Sequence, residues 1–480
     1  MDRTGYTATI GIECHVQLST TTKLFAGVDN DARDAAPNTL ISPLCVGMPG
    51  ALPVLNSEAL NLAIRAGLAL KSGIAEYSKF DRKHYFYPDL PLGYQITQFD
   101  QPTILAGAVD APLGKGKSVT VRIHHAHLEA DAGKSTHPDG KNYSLVDLNR
   151  AGTPLIEIVS EPDMHTAAEA KAYAHELYLL MKYAKVTDAN LFYGNMRFDV
   201  NVSVSKTSEL GTRTETKNLN SFRSIEKTVE YEIDRQIAEL KAGNQIIQET
   251  RGWNDSTGKT FSQRSKEDAH DYRYFPDPDL PPVIVLPETV NAIRLTMPSM
   301  PDVLRTKFAE LALDPSQVEA IIEEPMLAGV LVGVMDAHDA KTARTIANWY
   351  SGEISRLVTD NVIGWEQVVL ATPRLVLLVA MVDGSLLSST SAKELLRDII
   401  SSDKSPEKLA AERNLLQVSD TAELEVIVLQ ILSENQKVAD EIKSGEMKAV
   451  GFIVGQVMKA SGGKANPGVV QQIIKSILKV

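Results

Sequence analysis

Cysteine is scarce in this sequence, with only Cys14 and Cys45 among 480 residues. Two thiols cannot form a disulfide framework or a four-cysteine zinc site. Cys14 lies on the apolar face of an alternating segment, which is typical of a buried thiol that takes no part in chemistry. No serine or cysteine stands in a recognisable nucleophile motif. The sequence therefore predicts that amide hydrolysis, such as that of glutamine, is not the chemistry of this chain.

Long apolar segments and an excess of basic residues are also lacking. The N-terminus, MDRTGYTATIGIECHVQ, has no hydrophobic core of a signal peptide. The longest apolar run, Leu375 to Val382, is far shorter than the ~18 residues of a membrane helix. We therefore expect a cytoplasmic protein without a membrane partner. The net charge of −12 argues against nonspecific nucleic-acid binding by the whole surface, but not against a local basic patch.

What is present is typical of a soluble globular protein: 43% hydrophobic and 23% charged residues. A length of 480 residues suggests about two to four domains. Strand-like alternation ends near the five prolines between Pro276 and Pro287. From about residue 293 amphipathic helices follow, and a Ser/Lys-rich linker lies at residues 401–408. We predict an α+β first domain over residues 1–292, a helical domain over 293–404 and a small helical tail over 405–480.

Residues 119–163 hold the most informative pattern. Odd positions are apolar from Val119 to Ile123 and ionisable from His125 to Asp131. On one continuous strand these side chains would share a face, so the hydrophobic core would lead directly into a polar site. Glu157 lies in a second strand-like run, residues 155–161. Carboxylates in apolar surroundings need a cation, and a hard metal such as Mg²⁺ takes oxygen ligands.

Three further strand-like segments carry polar faces. Residues 9–18 place Glu13 and His15 together, which suits a shared metal or proton transfer, and residues 196–204 and 212–220 add acids and cations. An ordinary alternative is that these are the solvated faces of half-exposed strands. Neither helical nor strand periodicity explains residues 81–101, DRKHYFYPDLPLGYQITQFDQ. This segment is either a functional loop or a well-packed one.

A phosphate-binding P-loop is excluded. Gly133-Lys134-Ser135-Thr136 has the correct ending, but Leu128 stands where that motif requires a glycine. The following His-Pro-Asp-Gly indicates a turn and not the start of a helix.

The tail is locally basic. Residues 447–480 contain no acid and five lysines, at positions 448, 459, 464, 475 and 479. This charge of +5 is either a phosphate-contacting surface or a solvated helical tail.

Long stretches of the sequence resemble one family. They are GIECHVQL, TKLF, PGALPVLN, DRKHYFYPDLPLGYQITQ, HLEADAGK, DLNRAGTPLIEIVSEPD, GTRTETKNLNSFRSIEKTVEYEI and RSKEDAHDYRYFPDPDLPP, over about residues 11–282. This region is similar to the GatB/GatE family, which includes GatB of the bacterial aspartyl/glutamyl-tRNA amidotransferase. GEMKAVGFIVGQVMKASGGKANPGVV resembles the YqeY-like tail of the family.

The resemblance implies a three-part protein. Its first domain would be a cradle with antiparallel sheets of the glutamine synthetase/guanido kinase fold, followed by an all-α domain and a tail that contacts tRNA. The family uses ATP and Mg²⁺ to phosphorylate the side-chain carboxylate of misacylated Glu-tRNA(Gln) or Asp-tRNA(Asn). Ammonia, released from glutamine by a GatA-like amidase subunit, completes the amidation, and a GatC-like small subunit completes a heterotrimer. The resemblance does not decide between the two tRNAs.

By matching position, the resemblance also assigns residues. Catalytic and metal-binding roles fall to Glu13, His15, Glu129 and Glu157, with Asp199 a further metal ligand. We add Arg150, Arg213 and Lys217 as phosphate-binding cations, since phosphoryl transfer needs positive charge. Expected tRNA contacts are Lys448, Lys459 and Lys464. Where relatives carry zinc-binding cysteines, this chain has Ala26, Ser42 and Cys45, so no zinc is expected.

Two other functions compete with this interpretation. One is a ligase or kinase that acts on a free small molecule, which the related fold would permit but for which a basic tail has no use. The other is a non-catalytic tRNA-binding scaffold, which needs no ordered carboxylate cluster.

Overall fold

The structure is a computed structural model that describes residues 3–265, 271–417, 421–461 and 465–480. The chain forms two compact units, Met1–Pro301 and Asp302–Val480. The first is a mixed α/β unit with a large, mostly antiparallel sheet, and the second is helical. The division into three domains stays a prediction.

Eight strands form the central sheet, in the order β13-β12-β11-β10-β1-β9-β6-β5. Neighbouring strands are antiparallel except for β11 and β12, which are parallel. The strands are β1 Thr7–Gln17, β5 Gly107–Gly114, β6 Lys117–Ala130, β9 Pro154–Ser160, β10 Met196–Ser205, β11 Thr214–Leu219, β12 Glu249–Asn254 and β13 Lys259–Ser265. Strand β1 lies near the middle, with β10 on one side and β9 on the other.

Smaller elements surround this sheet. A three-stranded sheet contains β14 Phe275–Pro276, β3 Asp81–His84 and β4 Tyr94–Thr97. Two strand pairs are β15 Val283–Ile284 with β2 Tyr77–Ser78, and β7 Lys134–Thr136 with β8 Leu145–Asp147. The helices of this unit are α1 Ser57–Ala69, α2 Ala167–Tyr183, α3 Phe222–Lys241 and α4 Pro287–Arg294.

The helices cover one face of the central sheet. The alternation of β1 buries Ile10, Ile12, Cys14 and Val16 in the same core as the apolar sides of α2 and α3. Helix α2 begins with a capping box between Thr166 and Glu169, as the sequence indicates. Because period-2 alternation sends the other side chains to the opposite face, the polar residues of β1 lie on the side that these helices leave open.

Strand β6 departs from the predicted pattern. Its pairing with β9 shifts by one residue between Ile123 and His125, so His124 is an extra residue, a β-bulge. Before the bulge the odd residues Val121 and Ile123 enter the core, and after it the even residues Ala126 and Leu128 do. The prediction that 119–131 share one face is therefore wrong, because the bulge exchanges the two faces midway.

The second unit consists of helices. They are α5 Pro301–Phe308, α6 Pro315–Ile322, α7 Pro325–Ala337, α8 Ala340–Trp349, α9 Ser355–Thr359, α10 Trp365–Asp383, α11 Ser389–Ser401, α12 Pro406–Glu412, α13 Thr421–Glu434, α14 Gln436–Lys443, α15 Val450–Ala460 and α16 Pro467–Leu478. A π-helical turn, Tyr350–Ile354, joins α8 to α9. The last four helices share a core of their own that includes Val428, Ile453 and Ile474.

Within the described residues, α10 is the one helix long and apolar enough to cross a membrane. Length and composition alone are weak grounds, because the core helix of a soluble domain passes the same test. Helix α10 packs against α7, α8, α11 and α12.

Candidate active site

The open face of the sheet carries the candidate residues in rows across its strands. His15 on β1 lies opposite Glu157 on β9, and Glu157 lies opposite His127 on β6. Glu13, two residues before His15 on the same face of β1, lies opposite Asp199 on β10. Side chains directly opposite on one face of a sheet are close enough to interact, so the strand register itself assembles the site.

The first of two acidic groups, the His15 group, contains His15, Glu129 and Glu157. The His15 Nε2 atom lies 3.6 Å from Glu129 Oε1 and 3.4 Å from Glu157 Oε2. His127 Nε2 approaches the same carboxylates, at 3.6 Å from Glu129 Oε2 and 3.7 Å from Glu157 Oε2. Thr97 of β4 donates a hydrogen bond to Glu129 Oε2 at 3.4 Å.

Electrostatics indicates that the His15 group requires positive charge. Burial lowers the pKa of His15, but the hydrogen bond and charge of Glu157 outweigh it and raise that pKa to about 9. Burial favours the neutral form of Glu157, yet His127 and His15 hold its pKa below the ordinary range. A proton or a metal ion would meet the same need, because both compensate two carboxylates removed from water.

The second acidic group, the Glu13 group, contains Glu13, Asp199 and Glu215. The Lys217 Nζ atom lies 2.9 Å from Asp199 Oδ2 and 3.1 Å from Glu215 Oε1. Asn201 donates a hydrogen bond to Glu13 Oε1 at 3.1 Å. Burial and the neighbouring carboxylates of Glu157, Glu215 and Asp199 raise the pKa of Glu13. Three acids with one lysine keep a surplus of negative charge, which favours a cation.

Both groups fit a divalent ion. In each of them, one ligand atom per residue can be chosen so that all lie within 4.8 Å of one another. Carboxylate oxygens suit Mg²⁺, which usually takes one or two carboxylates and completes its shell with water and phosphate oxygens. The imidazole of His15 is a ligand that transition metals also accept. Each group thus offers enough ligand atoms for one divalent ion, and metal binding by these residues stays a prediction.

The structure divides the set that the sequence predicted. His15, Glu129 and Glu157 come together, whereas Glu13 joins Asp199 in the other group. Two neighbours were missed in the prediction: His127 beside the first group and Glu215 in the second. The sequence did indicate both residues, because His127 is two positions from Glu129 and Glu215 is two positions from Lys217, so each pair shares one face of its strand.

The predicted phosphate-binding cations lie in different surroundings. Lys217 lies between two acids of the Glu13 group, and exposed Arg213 borders a cavity of about 240 Å³ that Glu13 also lines. Arg150 is held by the carbonyl oxygens of Ala132 and Gly133, at 3.0 and 2.6 Å. Its role as a phosphate ligand stays a prediction.

A further cation was not predicted. Arg197 lies opposite His15 in the strand register. Its Nη2 atom donates to Asp131 Oδ2 at 3.0 Å, and the same oxygen lies 3.3 Å from Arg150 Nε. Asp131 thus fixes two guanidinium groups at the edge of the acidic face, and a guanidinium is the cation best shaped to bind phosphate oxygens.

The tail lysines belong to the helical unit. Lys448 and Lys459 are exposed. Lys464 lies outside the described residues. A phosphate-contacting role for these lysines stays a prediction.

The fold and the two acidic groups define a class: mixed α/β proteins with clustered carboxylates, able to hold a divalent ion, on the open face of a mostly antiparallel sheet. Residues 8–291 match the family model of the GatB/GatE catalytic domain, and residues 334–478 match that of the GatB domain. The chain therefore belongs to the GatB/GatE family.

Curated relatives agree over nearly the whole length. The chain is 43% identical over 476 residues to the B component of the aspartyl/glutamyl-tRNA(Asn/Gln) amidotransferase of Caldanaerobacter subterraneus subsp. tengcongensis, and the match covers 98% of this chain and 99% of the relative. The protein of the same name from Thermoanaerobacter sp. (strain X514) is 44% identical with the same coverage. That from Geobacter sulfurreducens is 43% identical over 480 residues, 99% of each chain.

Proposed function

We propose that this chain is the GatB component of a tRNA-dependent amidotransferase. It would phosphorylate the side-chain carboxylate of misacylated Glu-tRNA(Gln), Asp-tRNA(Asn) or both with ATP and Mg²⁺. Ammonia would then attack the acyl phosphate, which forms the amide and releases phosphate. The observation that carries this proposal is the pair of acidic groups on one sheet face, in a chain that matches the family model over residues 8–291.

The side chains of this face have distinct tasks in the proposal. The two acidic groups would hold divalent ions, which when bound neutralise charge that develops on transferring phosphate oxygens. Arg213 and Lys217 lie beside the Glu13 group, and Arg197 lies beside the His15 group. Each acidic group therefore has at least one cation next to it. These cations would bind and orient phosphate oxygens, and the neighbouring carboxylates outweigh burial and raise the pKa of Lys217 and of Arg197, which keeps these two side chains charged.

Partner subunits follow from what the chain lacks. Because no serine or cysteine stands in a recognisable nucleophile motif, the chain would receive ammonia from a GatA-like amidase subunit, with a GatC-like small subunit completing a heterotrimer. The whole would be a ligase that forms a carbon–nitrogen bond with glutamine as the nitrogen donor. The tail lysines would contact tRNA, and the complex would work in the cytoplasm.

The fold supports a finer proposal as well. We assign the first unit to the glutamine synthetase/guanido kinase type of cradle, with domains at 1–292, 293–404 and 405–480. Support comes from the antiparallel-rich sheet whose open face carries the acids.

Glu129→Gln in the reconstituted complex tests the proposal. This change should abolish ATP- and Mg²⁺-dependent amidation of Glu-tRNA or Asp-tRNA and leave glutaminase activity at least partly intact. Glu161→Gln is the matched control, because Glu161 is a half-buried acid just after β9 that joins neither group.

Four outcomes would contradict parts of this scheme. Amidation without ATP and Mg²⁺ would refute the function, and full activity of Glu129→Gln would refute the metal assignment. Turnover of free glutamate by the isolated chain would favour a ligase for small molecules, while failure to bind Mg²⁺ or Mn²⁺ would favour a scaffold.

A further inference from the structure

An aromatic groove adjoins the acidic face and has no role in the scheme above. It is a cavity of about 550 Å³ between residues 83–87 and residues 271–273, which we call the aromatic groove. We infer that the aromatic groove binds an unpaired nucleotide at the end of an RNA strand by stacking on its base. This inference rests on the proposed function and deepens it, since it places the end of the RNA substrate that carries the reacting group.

Two rings of the groove, those of Phe86 and Tyr87, are exposed to solvent. Phe86 is 83% exposed and Tyr87 51% exposed. Gly93, whose φ is +74°, lies so close beneath Phe86 that an added Cβ would stand 3.3 Å from Phe86 Cε1. One side of the Phe86 ring thus rests against a residue without a side chain, which leaves the ring open to a partner. Large exposed aromatic side chains grouped in one place indicate a binding surface.

Cations are interleaved with these rings. Lys83 Nζ lies 4.9 Å from the centre of the Tyr272 ring. The exposed Arg273 guanidinium makes no ion pair among the described residues, and its backbone is left-handed, with φ of +45°. Asp271 is the one acid among the lining residues that the structure describes. Aromatic faces together with lysine and arginine are the combination that holds single-stranded nucleic acid.

The wall of the groove is linked to the His15 group through strand β4, and Lys83 in that wall interacts electrostatically with Glu129 and Glu157. In the small sheet Lys83 lies opposite Gln95, and the Gln95 side chain donates to the carbonyl oxygen of Ala130 at 2.9 Å. Ala130 directly follows Glu129, to which Thr97 of the same strand also donates. Strand β4 therefore fastens the wall of the groove to the acidic face.

This proximity to the His15 group selects the occupant. In an aminoacyl-tRNA the amino acid whose side-chain carboxylate reacts is esterified through its α-carboxyl group to the terminal nucleotide, so that nucleotide must lie close to the acidic face during the reaction. The same rings would also stack on the adenine of ATP, and the test must separate these two sources of a purine base.

Binding of the full-length chain to two RNA hairpins provides the test. Both share one stem, and one of them carries a four-nucleotide single-stranded 3′ extension. By fluorescence anisotropy the extension should tighten binding to the wild-type chain at least about fivefold, the contribution of about one stacked base. Phe86→Ala combined with Tyr87→Ala should remove this gain and leave binding of the blunt hairpin unchanged. Phe192→Ala, which changes a ring that is 87% exposed and lies outside the groove, should keep the gain.

The inference is overturned if the extension adds nothing to wild-type binding, or if the double variant keeps the gain. It is also overturned if saturating ATP with Mg²⁺ removes the gain, because the groove would then hold the adenine of the nucleotide. Unchanged affinity of the double variant for the blunt hairpin shows that the variant is folded. A complex that amidates tRNA while the extension adds nothing refutes this inference alone; extension-dependent binding without any amidation refutes the proposed function alone.

Discussion

Asp131→Asn is expected to slow phosphoryl transfer by weakening the hold on Arg197. Asp131 Oδ2 accepts from Arg197 Nη2 at 3.0 Å and lies 3.3 Å from Arg150 Nε, and the side chain is only 12% exposed. Asparagine keeps the shape of this residue but removes its charge. The hydrogen bond to the Arg197 guanidinium would then lose its charge assistance, while the backbone bonds of Arg150 at Ala132 and Gly133 remain.

The magnitude follows from this contact. A hydrogen bond between charged partners contributes about 1.5–3 kcal/mol. If Arg197 stabilises the transferring phosphoryl group, the same energy lost from the transition state lowers kcat about 10- to 150-fold. Because Asp131 would act by positioning Arg197 and not by binding RNA, the KM for aminoacyl-tRNA should change less than about twofold.

Steady-state amidation by the reconstituted complex measures both quantities. Asp163→Asn is a suitable control, since it breaks another carboxylate–guanidinium pair, with Arg122 at 2.6 Å, that belongs to neither acidic group. Wild-type kcat in Asp131→Asn would refute the reasoning. A raised KM with unchanged kcat would also refute it, because Arg197 would then contribute only to binding. Equal melting temperatures show that any loss is not a loss of folding.

Three other changes have defined outcomes. Glu232 is buried and pairs with Arg235 and Arg251, so Glu232→Gln should cost about 3–5 kcal/mol in urea unfolding. Burial raises the pKa of Glu232, but Arg235 outweighs burial and lowers that pKa. The loss of unfolding free energy in Glu232→Gln should therefore be complete above pH 4.5 and shrink as the pH falls through the folded-state pKa of Glu232. A loss of stability that grows in acid would contradict this. Glu215→Gln should weaken only one of two classes of Mn²⁺ site in titration calorimetry, and a loss of both classes would show a single shared site. Lys23→Met should destabilise the chain by about 1–3 kcal/mol, because it leaves the carbonyl oxygens of Leu40 and Ala151 without their donor, and an unchanged urea midpoint would contradict this.

Much of the fold was predictable where a local period decides it. The alternation of β1 assigned Ile10, Ile12 and Cys14 to the core and Glu13 to the open face, and the structure agrees. This works because burial of apolar side chains on one face fixes the parity of a strand. The capping box of Thr166 and Glu169 likewise marks the start of α2 in the sequence.

The division of the site was not predictable, because it depends on register. Glu13 and His15 are two residues apart on one face, so the sequence groups them together. In the sheet each takes its partner from a different neighbouring strand, Asp199 of β10 for Glu13 and Glu157 of β9 for His15. Which residues lie opposite each other is set by pairing between segments more than a hundred residues apart, and no local pattern records it.

The bulge at His124 has a consequence for building chimaeras of this chain with its relatives. In residues 117–123, before the bulge, the side chains that pack in the core are those of Val121 and Ile123, at odd positions. A junction after the bulge exchanges residues that alternate in the opposite sense. A recombined strand keeps Glu129 on the open face either with the bulge and all the residues 124–128, or without the bulge and with one residue fewer. Deletion of His124 would therefore give a regular strand with the same two faces, whereas loss of a second residue would turn Glu129 towards the helices and Leu128 towards the open face.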